Sequence, residues 1–486
     1  MDSRADMAGR TARGGAWALG GQAVKFAGRM ASVAILARLL TPADFGLVAM
    51  AAPIVAFVGL FKDFGLSAAT IQRDRITQDQ LSALYWINVL AGLLLSAAAT
   101  ALAPAVGWFY GDQRLVAITA ALGLSFALSG LQVQPSAVLR RQLRLRRLTV
   151  IQVSGYLIGI AVAVVSAHSG AGAWALVYGT LAGDLASALL LTAGAGWRPG
   201  RPARCQGLGQ LLGFGGHVTA FNLINFFPRN LDNILVGRVW GEGALGLYSK
   251  AYELLLLPVR QVNGPITQAV VPALSRLRDE PERYRRYYVK SLRMIVTLTA
   301  PAIAFLVVAI DPLVRIVLGP QWLDMIPIFQ ALGPAALIGT SNIATGWVFV
   351  SWGHVRRQVW LGLISATIVS AGFLLSVSHG PVQMALTYSL IVLVIRWPQL
   401  MLCYHGTPVR LRDFFAATGR PMATAVLASA LVFLVGPLAT TPAIDLAGRA
   451  GVFALAALAF WIALPGGLAM LREMTRDLRH LRGSAA

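Results

Sequence analysis

Long apolar stretches dominate this chain, and short polar connections separate them. A helix crosses the hydrocarbon of a bilayer in about 20 apolar residues. On that measure the pattern predicts spans near 16–40, 45–70, 82–108, 115–138, 149–168 and 171–194. A second set follows near 211–236, 244–271, 288–317, 324–350, 357–377 and 381–403, with two more near 414–438 and 446–470. The expected fold is an all-α integral membrane protein of about fourteen transmembrane helices. Its expected parts are an N-terminal six-helix lobe (1–196), a basic cytoplasmic linker (197–210), a C-terminal six-helix lobe (211–405), and two extra helices with a cytoplasmic tail (406–486).

The division into related halves rests on an internal repeat. The turn after the first apolar stretch, RLLTPADFGLVAMA (Arg38–Ala51), returns as GRVWGEGALGLYSKA (Gly237–Ala251). Arg38 matches Arg238, Gly46 matches Gly246, Leu47 matches Leu247 and Ala51 matches Ala251 at one constant offset. PAVGWFYGD (Pro104–Asp112) is echoed in the same order by PLVRIVLGP (Pro312–Pro320), with Gly111 against Gly319. Duplicated halves are a common way to build a transporter.

Composition agrees with the pattern. Hydrophobic residues make up 57% of the chain, charged residues 13%, and the mean hydropathy is +0.66, against roughly 25% charged residues in soluble domains. The first apolar stretch is too long for a signal-peptide core and carries Lys25 and Arg29. Two cysteines, Cys205 and Cys403, make no disulfide framework.

A net charge of +21 raises the question of nucleic acid, but the basic residues lie in short loops between spans rather than on a soluble surface. Arg73 and Arg75, the cluster Arg140 to Arg147, Arg198 to Arg204, the run from Arg276 to Arg293, Arg356 and Arg357, and Arg410 to Arg420 all fall on one face. The other face holds Arg38, Arg114, Arg238, Arg315 and Arg449. The positive-inside rule then places both termini in the cytoplasm, and no nucleic-acid partner is expected. The segment LSRLRDEPERYRRYYVK (Leu274–Lys290) reads as either a short amphipathic helix at the headgroups or a solvated charged loop.

Ionisable groups within spans are expensive and therefore mark function. Lys25 and Arg29 share one face of the first span, Lys62 and Asp63 end the second, Arg229 and Asp232 lie in the seventh, and Lys250, Glu253 and Arg260 lie in the eighth. Asp184 and Arg396 stand outside this group. The pattern predicts a polar, net positive cavity lined by the first two helices of each half. Lys25, Arg29, Lys62, Arg229, Lys250 and Arg260 are its candidate substrate-binding cations, with Arg29 the first choice because it sits near mid-span. Guanidinium groups suit phosphate, so an anionic cargo is expected. Lys250 with Glu253, and Arg229 with Asp232, have the alternative of pairing along their own helices. Asp63, Asp184, Asp232 and Glu253 are the candidates for coupling to an ion.

Catalytic and cofactor signatures are missing from the sequence. GEGALG (Gly241–Gly246) matches a dinucleotide fingerprint by letter only, since no strand precedes it. No Walker A loop, HExxH, GxSxG or metal-spaced Cys/His set occurs. No enzymatic activity, cofactor or metal is expected.

Four segments carry a family resemblance. RTARGGAWALGGQ (Arg10–Gln22), the turn from Arg38 to Ala51, FKDFGLSAATIQR (Phe61–Arg73) and PSAVLRRQLR (Pro135–Arg144) resemble the Wzx-type lipid-linked oligosaccharide flippases of the MATE/MOP transporter superfamily, closest to the colanic-acid and exopolysaccharide branch. The resemblance implies alternating access that carries an undecaprenyl-diphosphate-linked repeat unit from the cytoplasmic to the periplasmic leaflet of the bacterial inner membrane. It also implies cavity cations that hold the diphosphate or acidic sugars, a role Arg29 and Lys25 fit best, and partners among membrane lipids, a polysaccharide polymerase and export machinery. The alternatives are a lipid II flippase, a MATE-type drug exporter, whose usual cationic cargo sits poorly with a positive cavity, and a membrane polymerase or ligase, which would need a large periplasmic loop.

Overall fold

The repeated turn shows how this chain starts and stops helices. The first helix, α1 (Arg4–Leu39), ends just ahead of Pro42, whose ring disfavours helical geometry in the residue before it. Thr41 is extended (φ −85°, ψ 161°) and caps α2 (Pro42–Gly59). Its hydroxyl accepts from the Asp44 amide at 3.3 Å, while Asp44 Oδ2 accepts from the Thr41 amide at 2.9 Å. TPAD thus forms a closed capping box with proline in the first turn.

The computed structural model describes residues 4–62, 76–201 and 208–464, and among the described residues every regular element is helical. By compactness the chain divides into Met1–Gly246 and Leu247–Ala486.

The first unit continues with α3 (Gln78–Tyr110), α4 (Arg114–Arg141), α5 (Leu145–His168) and α6 (Trp174–Gly194). Helix α3 packs along α4, and α5 along α6; α1 lies on α5 and α4 on α6. The next helix, α7 (Leu208–Leu255), is broken at Gly241 (φ 79°, ψ −176°), a conformation open to glycine. The break turns Glu242 and Gly246 back onto α2. A Cβ on Gly46 would overlap the Glu242 carbonyl, and a Cβ on Gly246 would overlap the Pro42 carbonyl. Residues 42 and 46 correspond to 242 and 246 in the repeat, so the two copies seat on each other reciprocally. Nearby, Arg114 bridges Asp112 (2.7 Å) and Glu242 (2.9 Å), and its hydrogen bonds hold the Asp112 carboxyl below the usual carboxylate range.

The second unit contains α8 (Leu257–Arg276), α9 (Pro281–Val308), α10 (Met325–Gly339), α11 (Asn342–Ser351), α12 (Val355–Ser376), α13 (Pro381–Tyr404), α14 (Leu411–Val435) and α15 (Pro442–Ala463). Helix α9 packs on α14, α10 on α13, and α14 on α15. The segment expected as a headgroup helix or solvated loop is instead largely the start of α9. Tyr284 and Tyr288 are fully buried there, bonded to Ser351 Oγ (2.7 Å) and the Tyr404 hydroxyl (2.9 Å). Arg285 forks onto Asp413 at 2.7 and 2.6 Å, a bidentate geometry that fixes α9 against α14. Buried aromatic rings and one paired arginine pull this basic stretch into the bundle. In the second repeat motif Gly111 (φ 74°, ψ 23°) and Gly319 (φ 106°, ψ 172°) both end helical turns at positive φ, but the first is left-handed helical and the second extended.

Ten described helices are long and apolar enough to cross a membrane, so the chain is a multi-pass membrane protein. The remaining four of the fourteen expected spans correspond to α1, to α7 with its charged continuation into α8, and to the 324–350 stretch. The last is broken between α10 and α11, leaving helices of 15 and 10 residues.

Candidate functional site: a polar cavity in the first unit

Small residues at four-residue spacing bring α5 and α6 together. Gly155, Gly159 and Ala163 on one helix face Gly179, Gly183 and Ser187 on the other; a Cβ on Gly159 would lie 2.7 Å from the Gly179 carbonyl and 3.1 Å from Gly183 Cα. In lipid such small-xxx-small stripes let backbones approach, because no hydrophobic gain drives helices together. Helix α1 lies along the same pair, with Gly28 against Tyr156 and Ile160. Between α1, α4, α5 and α6 a cavity of about 580 Å³ remains.

Its lining is polar for an apolar bundle. Lys25 and Ser32 come from α1, Gln132 from α4, Gln152 and Tyr156 from α5, and Thr180, Asp184 and Ser187 from α6. Lys25 is half-buried and its Nζ donates to Gln152 Oε1 at 3.2 Å. Gln132 Nε2 donates to the Asp184 backbone carbonyl at 3.0 Å, tying α4 to α6. Lys62 is exposed at the end of α2 yet close enough for its charge to act on Asp184.

Of the residues singled out from the sequence, the structure therefore brings Lys25 and Asp184 into one cavity, with Lys62 near it. Arg29 is exposed and is not part of this lining. Asp232 is buried on α7, where its Oδ1 accepts from the Asn233 amide at 2.8 Å. In the second unit, Lys250 is buried and pairs with Glu253 at 2.9 Å, while Arg260 is exposed. Asp63 and the side chain of Arg229 lie outside the described residues.

Sequence reasoning missed the neutral members, Gln132, Gln152, Tyr156, Thr180 and Ser187. It weighed charge first, whereas Gln152, Tyr156, Gly159 and Ala163 repeat on one helical face and carry the signal. It noted Arg396 without assigning it a role. That side chain is 4% exposed and donates to the Ser341 carbonyl (2.9 Å) and Asn342 Oδ1 (2.8 Å), at the break between α10 and α11.

An ammonium beside amides and hydroxyls in a low-dielectric setting attracts an anion and offers hydrogen bonds to sugar or phosphate oxygens. Among the described residues no cluster of three metal-ligating groups occurs.

A family model described as polysaccharide biosynthesis protein matches residues 35–327. The lipopolysaccharide biosynthesis protein WzxC of Escherichia coli (strain K12) is 29% identical over 315 residues, spanning 64% of this chain and 63% of that relative. The succinoglycan biosynthesis transport protein ExoT of Rhizobium meliloti (strain 1021) is 23% identical over 425 residues, 86% of this chain and 84% of its own. Among solved structures, a lipid II flippase MurJ in an inward closed conformation aligns with a TM-score of 0.69 at 13% identity, over 91% of this chain and 97% of that one. An inward-facing multidrug resistance MATE family transporter of the MOP superfamily aligns with a TM-score of 0.63 at 12% identity, over 78% and 94%. At such identities the likeness is one of fold, and it places this all-helical chain in the MOP fold.

Proposed function

We infer the function from one premise, that this chain belongs to the polysaccharide biosynthesis protein family. We propose that it is a flippase, moving an undecaprenyl-diphosphate-linked oligosaccharide repeat unit from the cytoplasmic to the periplasmic leaflet by alternating access. The observation that carries this reading is the cavity holding Lys25 among amides and hydroxyls inside a bundle of apolar helices. A group so costly to bury is kept where it meets an anion, and a diphosphate with attached sugars is such a ligand. Lys25 holds negative charge, Gln132 and Gln152 serve polar oxygens, and Arg29, Lys62, Arg229, Lys250 and Arg260 add positive charge along the route. Asp184 is the first candidate for a protonatable coupling group because it shares the cavity; Asp63, Asp232 and Glu253 follow. The loop charges orient the chain with both termini in the cytoplasm of a bacterial cell. The chain acts as a transporter rather than an enzyme, supplying flipped units to a polymerase and export machinery.

The test is export in cells lacking the gene and complemented with wild type, Lys25→Gln or Arg29→Ala at equal protein levels. Deletion is expected to abolish surface polysaccharide and strand lipid-linked units in the cytoplasmic leaflet. Lys25→Gln is expected to lower export roughly ten- to a hundredfold, the loss of one charge-assisted contact worth about 1.5–3 kcal/mol. Units that reach the periplasm and merely stay unpolymerised would sink the flippase reading.

A further inference from the structure

The outer side of the first unit carries a second cationic feature, unconnected with the cavity. Helix α5 opens with Leu145, Arg146 and Arg147, directly after Arg144. The three arginines are exposed and, with Val150, line one pocket of about 450 Å³. Val150 also lines a groove of about 440 Å³ between α1 and α5, whose other walls include Trp17, Gly20, Gly21, Val24 and Val153. Pocket and groove share Val150 and so run into one another. Gly21 accounts for the groove's narrow floor, since a Cβ there would overlap Thr149. Trp17 joins the two parts, with the Arg146 guanidinium 4.7 Å from its ring centroid.

None of the three arginines has a carboxylate partner among the described residues. Their charge is therefore available to a ligand, and one surface offers three guanidinium forks above an apolar trough. A free anion has no use for the trough. An apolar helix laid into it would bury guanidiniums without counter-charge, which desolvation strongly disfavours. An amphiphile with an anionic head and a hydrocarbon tail matches both halves. We propose that this groove is a binding site for an anionic phospholipid, its phosphate held by Arg144, Arg146 and Arg147 and one acyl chain lying along Trp17, Val24 and Val150. Tryptophan at the junction suits the headgroup boundary, where its ring prefers to sit.

The test is native mass spectrometry of the full-length protein released from micelles containing phosphatidylglycerol or phosphatidylcholine. Wild type is expected to retain phosphatidylglycerol in preference, and millimolar inorganic phosphate is expected not to displace it. Combining Arg144→Gln, Arg146→Gln and Arg147→Gln should reduce retention by roughly a hundredfold, about fivefold for each basic residue near a lipid surface. Val150→Trp, at an exposed position, should lower retention with every charge intact, and Arg356→Gln at the start of α12 should not. Wild-type preference in the triple variant overturns the proposal. So does displacement by inorganic phosphate, which means a free-anion site, or unchanged retention in Val150→Trp, which means charge without a groove. Should the triple variant fail to fold, Val150→Trp alone decides.

Discussion

Arg396 shows what a single buried residue does in this bundle. Its Nη2 donates to the carbonyl and hydroxyl of Ser341 at 2.9 and 3.2 Å, its Nη1 to Asn342 Oδ1, and its guanidinium lies 5.4 Å from the Phe414 ring centroid. Where a membrane helix breaks, no water is at hand for the freed carbonyls, so a side chain must serve them. Arg396→Met is expected to lower stability by about 1–3 kcal/mol by taking the donor from the Asn342 Oδ1 and the Ser341 hydroxyl. Arg396→Lys, which keeps the charge but loses the fork, should recover only part of it. Thermal melting in detergent reads both, and an Arg396→Met protein as stable as wild type would refute the capping role. The charge of Arg396 was legible in the sequence but its task was not, because the break it bonds to lies 54 positions away. The sequence marked Lys25 as a costly charge for a cavity lined by the first two helices of each half, whereas the cavity it lines lies among α1, α4, α5 and α6. The partner of Lys25, Gln152, lies 127 positions away, and nothing local connects them.

At the scale of elements, α5 and α6 are a pair made by absence. Their contact depends on hydrogens where other residues carry methyl groups, which makes it unusually sensitive to the smallest substitution. Gly159→Ala is expected to destabilise by about 1–3 kcal/mol, because the new Cβ meets the Gly179 carbonyl and the helices must part. Gly20→Ala on α1 meets nothing within 4 Å and should be neutral or stabilising by up to about 1 kcal/mol. Comparing the two melting temperatures checks the claim, and equal shifts would refute it. Helix existence was readable from hydropathy for the ten strongly apolar spans. The reading weakened where function or geometry intrudes: polar α1, the broken and charged region of α7 and α8, and the interrupted 324–350 stretch. Helix α9 was misjudged at its start, since a run of arginines and tyrosines resembles a surface segment until Asp413 and Tyr404, far along the chain, give it partners.

For the whole molecule, the loop charges predict one orientation. A fluorescent protein fused after residue 464 is expected to fold and glow in the cytoplasm, and alkaline phosphatase inserted at Gly172, between α5 and α6, is expected to be active in the periplasm. The reverse pattern would invert the transport direction proposed above. The internal repeat was the most informative long-range signal in the sequence, because its matched glycines both leave the ordinary φ range at Gly111 and Gly319 and meet the opposite copy at Gly46 and Gly246. Which residues line the cavity was harder to read, as that depends on which faces of four helices meet.

Gly46 is covered by a carbonyl that the ribosome adds some two hundred residues later. Until Glu242 emerges and α7 has been inserted, the freshly made α2 keeps a bare backbone strip at its first turns. The opening half of the chain is thus an unfinished body throughout the synthesis of α3 to α6, dependent on the insertion machinery or on lipid to cover it. A chain released after α6 would have every helix from α1 to α6 and still lack the carbonyl that covers Gly46 on α2.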